Sequence, residues 1–441
     1  MSFPRMFGLL LPLLPLAACQ DSSTTCGLRL CDIRAAACQQ MAAQAAACLR
    51  GGAVPATPVR VVTMAAYQNE ESSVVPTAAE DHAFHVWHTG LAHWGLAPAS
   101  LTYAQAAQIS ASSVAAEYAP DKKLITIVDG GDALDSRWAV QTLVHEYVHA
   151  MQDAQVDLVA LAAVQETDFD RTLATEAMVE GEATVLGDQA EVLLFGDSVA
   201  TTSFASIYGN YKRYANGSVV ASTMPVDLAW VYFHYPYGAA YQQAVYAKGG
   251  VLAMAPLLSA PPSGSREVMA GYGVAEPTGA PFTESLGAEA VAILPDRFAY
   301  VDSDTYGGWL ATVFFARNDL NAWTNLPNVV GDHFSVYEES ATGQVVSVWR
   351  LRFTTAALAT TAAADLGVDL ATKNPTEFAS GTTQYRFEQR DRDLILVAAP
   401  VAELLAAIPA ELAFAAKPTK IDVHPTTVHA IRCPRRLSSN Q

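Results

Sequence analysis

The sequence predicts an α+β protein, and three observations carry that expectation. Stretches with apolar residues at helical spacing, such as 135–153 and 171–194, alternate with short runs of branched side chains, such as Leu124-Ile125-Thr126-Ile127-Val128. Of the 441 residues 51% are apolar and only 16% charged, so the chain can bury a large core, and its length allows two or three domains. The formal net charge of −18 argues against nucleic acid or an anionic membrane surface as partner, because both would repel it.

Residues 1–19 read as a signal peptide: Arg5 gives the positive end, Phe7 to Leu16 the apolar run, and Leu16-Ala17-Ala18 precede Cys19. The ending resembles a bacterial lipoprotein cleavage site, which makes Cys19 the lipidated first residue of a secreted, envelope-anchored chain. An ordinary cleaved signal peptide is the alternative. Gln20 in place of an Asp retention signal favours the outer membrane or cell surface. The apolar run is too short to span a bilayer, and no later stretch approaches ~20 apolar residues, so lipid on Cys19 is the expected membrane attachment.

Residues 20–53 read as a tether with a short helix from Asp32 to Leu49, carrying Cys26, Cys31, Cys38 and Cys48. Disulfides are expected in one of three connectivities, the rival being a metal site. Cys433 is left free or pairs back to this cluster. Over 54–275, Val54–Val62 reads as a first strand and Asp81–Trp94 as a helix. Its His82, His85, His88 and His93 are spaced three, three and five, which walks them around the axis, so surface or capping roles are expected. Leu124–Val128 is a strand; Asp135–Asp153 and Arg171–Leu194 are strong helices. Residues 276–441 read as a smaller α+β domain without a catalytic cluster. Val329–Glu339 and Val345–Thr354 are adjacent strands there, Ala356–Leu366 a helix, Thr382–Ala399 a strand pair broken at Arg390-Asp391, and Val401–Ala415 a helix.

The chemistry lies in His145-Glu146-Tyr147-Val148-His149. Helical positions four apart stack at roughly 5–6 Å between Cβ atoms, so both imidazoles can reach one zinc ion. Glu146 is then free to act as general base toward a metal-activated water. A catalytic zinc needs a third ligand, and the following helix offers Glu180 or, one turn earlier, Glu176.

Glu180-Gly181-Glu182-Ala183-Thr184 resembles the Glu-Gly-x-Ala-Ser/Thr element of the gluzincin zinc metallopeptidases, the thermolysin and aminopeptidase N group. The likeness covers about residues 54–275 and implies a zincin-like catalytic domain with Glu180 as third ligand. His149-Ala150-Met151-Gln152-Asp153 is similar to the thermolysin-type continuation, which implies that Asp153 orients an imidazole; Thr184 is a second supporting residue. Such enzymes place a Tyr or His opposite the base. Here Tyr235 is the first choice, on a resemblance to a little-characterised branch of secreted HExxH lipoproteins, with Tyr237 and His234 behind it. In zincins the strand before the motif helix rims the cleft and accepts an extended peptide, which implies that Leu124–Val128 does so and that the substrate is a peptide cut internally. The aminopeptidase Gly-x-Met-Glu-Asn run is absent. The alternative function is a non-catalytic, zinc-stabilised envelope binding protein or assembly factor.

Overall fold

In the computed structural model the described residues are 25–271, 286, 290–317, 328–366, 376–416 and 431–434, except positions 72, 74, 99, 113, 132, 166, 167 and 224. Cys19 lies outside them. They form a mixed α+β fold, as the alternation of patterns predicts. No helix among them is long and apolar enough to cross a membrane.

The first part of the chain runs α1 (Ala36–Arg50), β1 (Val59–Thr63), α2 (Met64–Glu71), α3 (Ala78–His93), α4 (Tyr103–Ser112), β2 (Val114–Ala119), β3 (Leu124–Asp129), α5 (Arg137–Val156), α6 (Leu158–Gln165) and α7 (Phe169–Leu194). Next come α8 (Phe204–Ala221), α9 (Pro225–Phe233), a π-helical turn (His234–Gly238), α10 (Ala239–Gly249), the single turns α11 (Val251–Met254) and α12 (Pro256–Ser259), and α13 (Ser265–Gly271). The last part runs β4 (Val291–Ile293), β5 (Phe298–Asp304), α14 (Gly307–Ala316), β6 (Val329–Glu339), β7 (Val345–Phe353), α15 (Ala356–Asp365), β8 (Thr376–Ser380), β9 (Thr383–Arg390), β10 (Asp393–Ala399), α16 (Ala402–Ala406), β11 (Ala413–Ala415) and β12 (Ile431–Pro434).

Strands β1-β3-β2-β12 form one sheet, with β1 parallel to β3 and the other pairs antiparallel. A six-stranded antiparallel sheet runs β5-β6-β7-β10-β9-β8. Helix α3 packs on that second sheet so closely that a Cβ on Gly90 would stand 2.5 Å from Val336 Cγ1. Trp87 meets Phe334 edge-on at 5.2 Å between ring centroids. This double burial corrects the reading of the α3 histidines: His82 and His85 are exposed, but His88 and His93 are buried. His93 Nδ1 bonds Ser347 Oγ at 3.2 Å. The stretch expected as one helix from Val401 to Ala415 instead breaks after α16. Pro409 removes a backbone donor there, and the chain turns into β11, which pairs with β4.

The helices that carry the site are framed locally. Ser136 caps α5 by accepting from Ala139 N at 3.1 Å, and Asp157 ends it with φ at 52°. Asp168 caps α7 through Arg171 N at 2.8 Å. Val144, Tyr147, Val148 and Met151 of α5 share a core with Met41, Ala42, Ala45 and Ala46 of α1 and with Ala183, Leu186 and Ala190 of α7. Helix α1 is stapled by Cys26–Cys48 and Cys31–Cys38. All four cluster cysteines are thus paired among themselves, which rules out both the metal-site rival and a bond from the cluster to Cys433.

Candidate metal centre

His145 and His149 lie one turn apart on α5, and Glu180 faces them from α7. His149 Nε2 is 2.9 Å from His145 Nε2, which is 3.1 Å from Glu180 Oε2. The third side of the triangle, His149 Nε2 to Glu180 Oε2, is 3.5 Å. Ligand atoms held 2.0–2.1 Å from a tetrahedral ion stand about 3.3 Å apart. The triangle therefore matches a small divalent ion, and this buried group could hold one. All its donor atoms lie within 4.8 Å of one another, and Glu176 is not among them.

Burial dominates the electrostatics. It pushes His145 toward the neutral imidazole that a metal requires, with the neighbouring His149 adding to the effect. For Glu180 burial acts the other way, but the two imidazoles outweigh it and hold the carboxylate low. Glu146 is 0% exposed, and no side chain among the described residues bonds its oxygens; only the Tyr118 backbone lies near enough to favour the charged form. Burial, then the charges of Glu180 and Glu117, raise its pKa well above the usual range; the Tyr118 backbone offsets this only in part. A buried carboxylate with no side-chain partner costs about 1–3 kcal/mol, so its persistence calls for an explanation.

Tyr235 reaches the same place by an irregularity. The π-turn at His234–Gly238 sets its ring centroid 6.3 Å from that of His145. Its approach depends on two glycines. A Cβ on Gly181 would meet Gly238 C at 2.4 Å, and one on Gly238 would meet Ala177 O at 2.2 Å. The glycine that follows Glu180 in the motif thus has a steric role, because it lets the π-turn cross α7 in contact. Tyr237 belongs to the core, 4.9 Å from the Trp309 ring with its hydroxyl on Asn216. His234 Nε2 faces Glu176 Oε2 at 3.3 Å.

The supporting residues differ from expectation. Asp153 does not orient an imidazole: its Oδ2 accepts from Tyr118 Oη (2.5 Å) and Lys123 Nζ (2.6 Å), and its Oδ1 from Leu158 N (3.0 Å). The partner of His149 is Gln152, whose Oε1 is 2.8 Å from Nδ1. The i, i+3 spacing is the one sequence signal for it. Thr184 is buried, but its hydroxyl bonds neither a ligand nor any other described residue. The expected rim strand is also displaced. Strand β3 lies inside the sheet between β1 and β2, so it has no free edge. The strand beside Glu146 is β2, and its outer edge pairs with β12 from Ile431↔Tyr118 to Pro434↔Val114.

Comparison of the chain with protein-family models, with curated proteins and with solved structures finds no match.

Proposed function

We propose that the chain is a gluzincin-type zinc hydrolase with a zincin-like domain, acting as an endopeptidase and tethered to the bacterial envelope by lipid on Cys19. The observation that carries this reading is the convergence of His145, His149 and Glu180 with a buried carboxylate, Glu146, that no side chain among the described residues bonds. Two imidazoles and one carboxylate are the donor set of a catalytic rather than a closed structural zinc site. Zinc held there would supply Lewis-acid chemistry, lowering the pKa of water toward ~7.

The protein's own share is proton handling and orientation. Glu146, next to His145 in sequence and without a side-chain partner, is the candidate base that takes a proton from water and passes it to the leaving amine. Tyr235, beside His145, is the candidate donor toward the oxygen that gains charge. A peptide adding to β2 as an extra strand would have to take the place of β12.

Metal analysis of the protein, with a peptide-library assay, tests the reading. About one zinc per chain is expected, lost in Glu180→Ala and kept in Glu176→Ala. Glu146→Gln should retain the metal and lose hydrolysis by ~10²–10⁴-fold. Full activity in that variant would sink the mechanism.

A further inference from the structure

We infer that Gln152, Glu182 and Arg50 are positioning residues that fix the tautomer of His149, so that the disulfide-stapled N-terminal helix is a working part of the metal centre. The inference deepens the metal reading and rests on it for one of its two tests only.

The argument is a count of hydrogens. Gln152 Nε2 carries two, and both are taken: one by Val179 O at 2.9 Å, the other by Glu182 Oε2 at 2.8 Å. A carbonyl and a carboxylate can only accept, so the amide cannot be turned round. Its Oε1 must therefore face His149 Nδ1, at 2.8 Å, and an amide oxygen also only accepts. Nδ1 must then carry the imidazole proton, which leaves the lone pair on Nε2. Nε2 is the atom that meets His145 and Glu180.

Glu182 in turn needs a partner, because it is 0% exposed. Arg50 supplies one, with Nε on Oε1 at 2.9 Å and Nη2 on Oε2 at 3.4 Å, and its own side chain is only 8% exposed. A lone buried carboxylate at Glu182 would be strongly destabilising. Arg50 is the last residue of α1 and stands two positions after Cys48, which is bonded to Cys26. Its Nη2 also donates to Gln155 on α5 at 2.6 Å. The series Arg50, Glu182, Gln152, His149 thus joins three helices and ends on a metal ligand. Chemically it is a second layer that makes a particular imidazole nitrogen available, a role that side chains behind metal-bound histidines commonly fill.

The test uses the full chain labelled with ¹⁵N-histidine, first without metal. Two-bond ¹H–¹⁵N correlation should show His149 as the Nδ1–H tautomer, and Gln152→Met should shift it to a mixture. Zinc affinity, read by competition with a chromophoric chelator, should fall ~10–100-fold in Gln152→Met. R50M/E182M removes the ion pair as a unit without stranding a charge, and should weaken zinc about tenfold while the chain stays folded. An unchanged tautomer and unchanged affinity in folded Gln152→Met or R50M/E182M overturns the inference. If the native chain binds no zinc yet shows the tautomer change, the positioning role stands and the metal reading falls.

Discussion

Helix α7 carries buried acids into two quite different settings. Near its start, Asp170 sits against Gly307 and accepts from Ser265 N at 2.8 Å. Beside it, Asp332 accepts from Tyr306 N, Gly307 N and Trp349 Nε1 at 3.0, 2.7 and 2.9 Å. Ten residues further along the helix, Glu180 meets two imidazoles, and Glu146 nearby has no side-chain partner among the described residues. Both regions bury carboxylates that burial pushes upward in pKa. Only hydrogen-bond accounting separates them. The satisfied group fastens segments together, whereas the unsatisfied group is held ready for something else.

That contrast can be broken in graded steps. The largest effect is expected from Asp332→Ala, which leaves three buried donors without an acceptor. Roughly 3–6 kcal/mol of stability should be lost in denaturant unfolding, with metal content per folded chain unchanged. Loss of metal would show that the two regions are coupled.

Next comes pH. Asp170 is pushed up to about 7 and Asp332 to about 6, in both cases chiefly by burial. Folded values above the unfolded 3.8 mean that their contribution is whole below about pH 4 and is lost as pH rises through 6 to 7. The Tm should therefore fall between about pH 4 and 7. Asp170→Asn should flatten the slope, by at most a few kcal/mol. A slope unchanged by the variant would place the titration elsewhere.

Gly181→Ala is a smaller intervention. Its Cβ must displace the backbone of Gly238, at a cost of about 2–3 kcal/mol, and it should reduce hydrolysis more than metal content because Tyr235 moves with the turn. Thr184→Val should be within about 1 kcal/mol of neutral by the same unfolding assay, since its hydroxyl has no bond to lose. A clear loss of metal there would give that hydroxyl a role the structure does not show.

Much of the site was legible in the sequence because it is local. Two histidines four apart on a helix of evident periodicity must share a face, and Glu180 came from a short contiguous element. The strand pair β6–β7 and the turn at Asp391, where φ is +51°, were equally local. What escaped depends on distant chain. Asp153 was the reasonable partner for an imidazole until Tyr118 and Lys123, brought in by β2 and the turn after it, captured its oxygens. Gln152 takes its role only because α7 places Val179 and Glu182 within reach of its amide. The burial of His93 needed a sheet made from residues more than two hundred positions later.

The π-turn has one more implication, and it concerns counting rather than chemistry. Such a turn is an α-helix with one residue too many. Removing a single residue between His234 and Gly238 would leave an ordinary helix and rotate everything after it by about 100°. His145, His149 and Glu180 would be untouched, yet the segments before and after the deletion, Tyr235 among them, could not both keep their packing against α7. The tyrosine's place at this centre is thus set by the length of one segment. Among natural variants a single-codon deletion there would be as damaging to this contact as a change of the tyrosine itself.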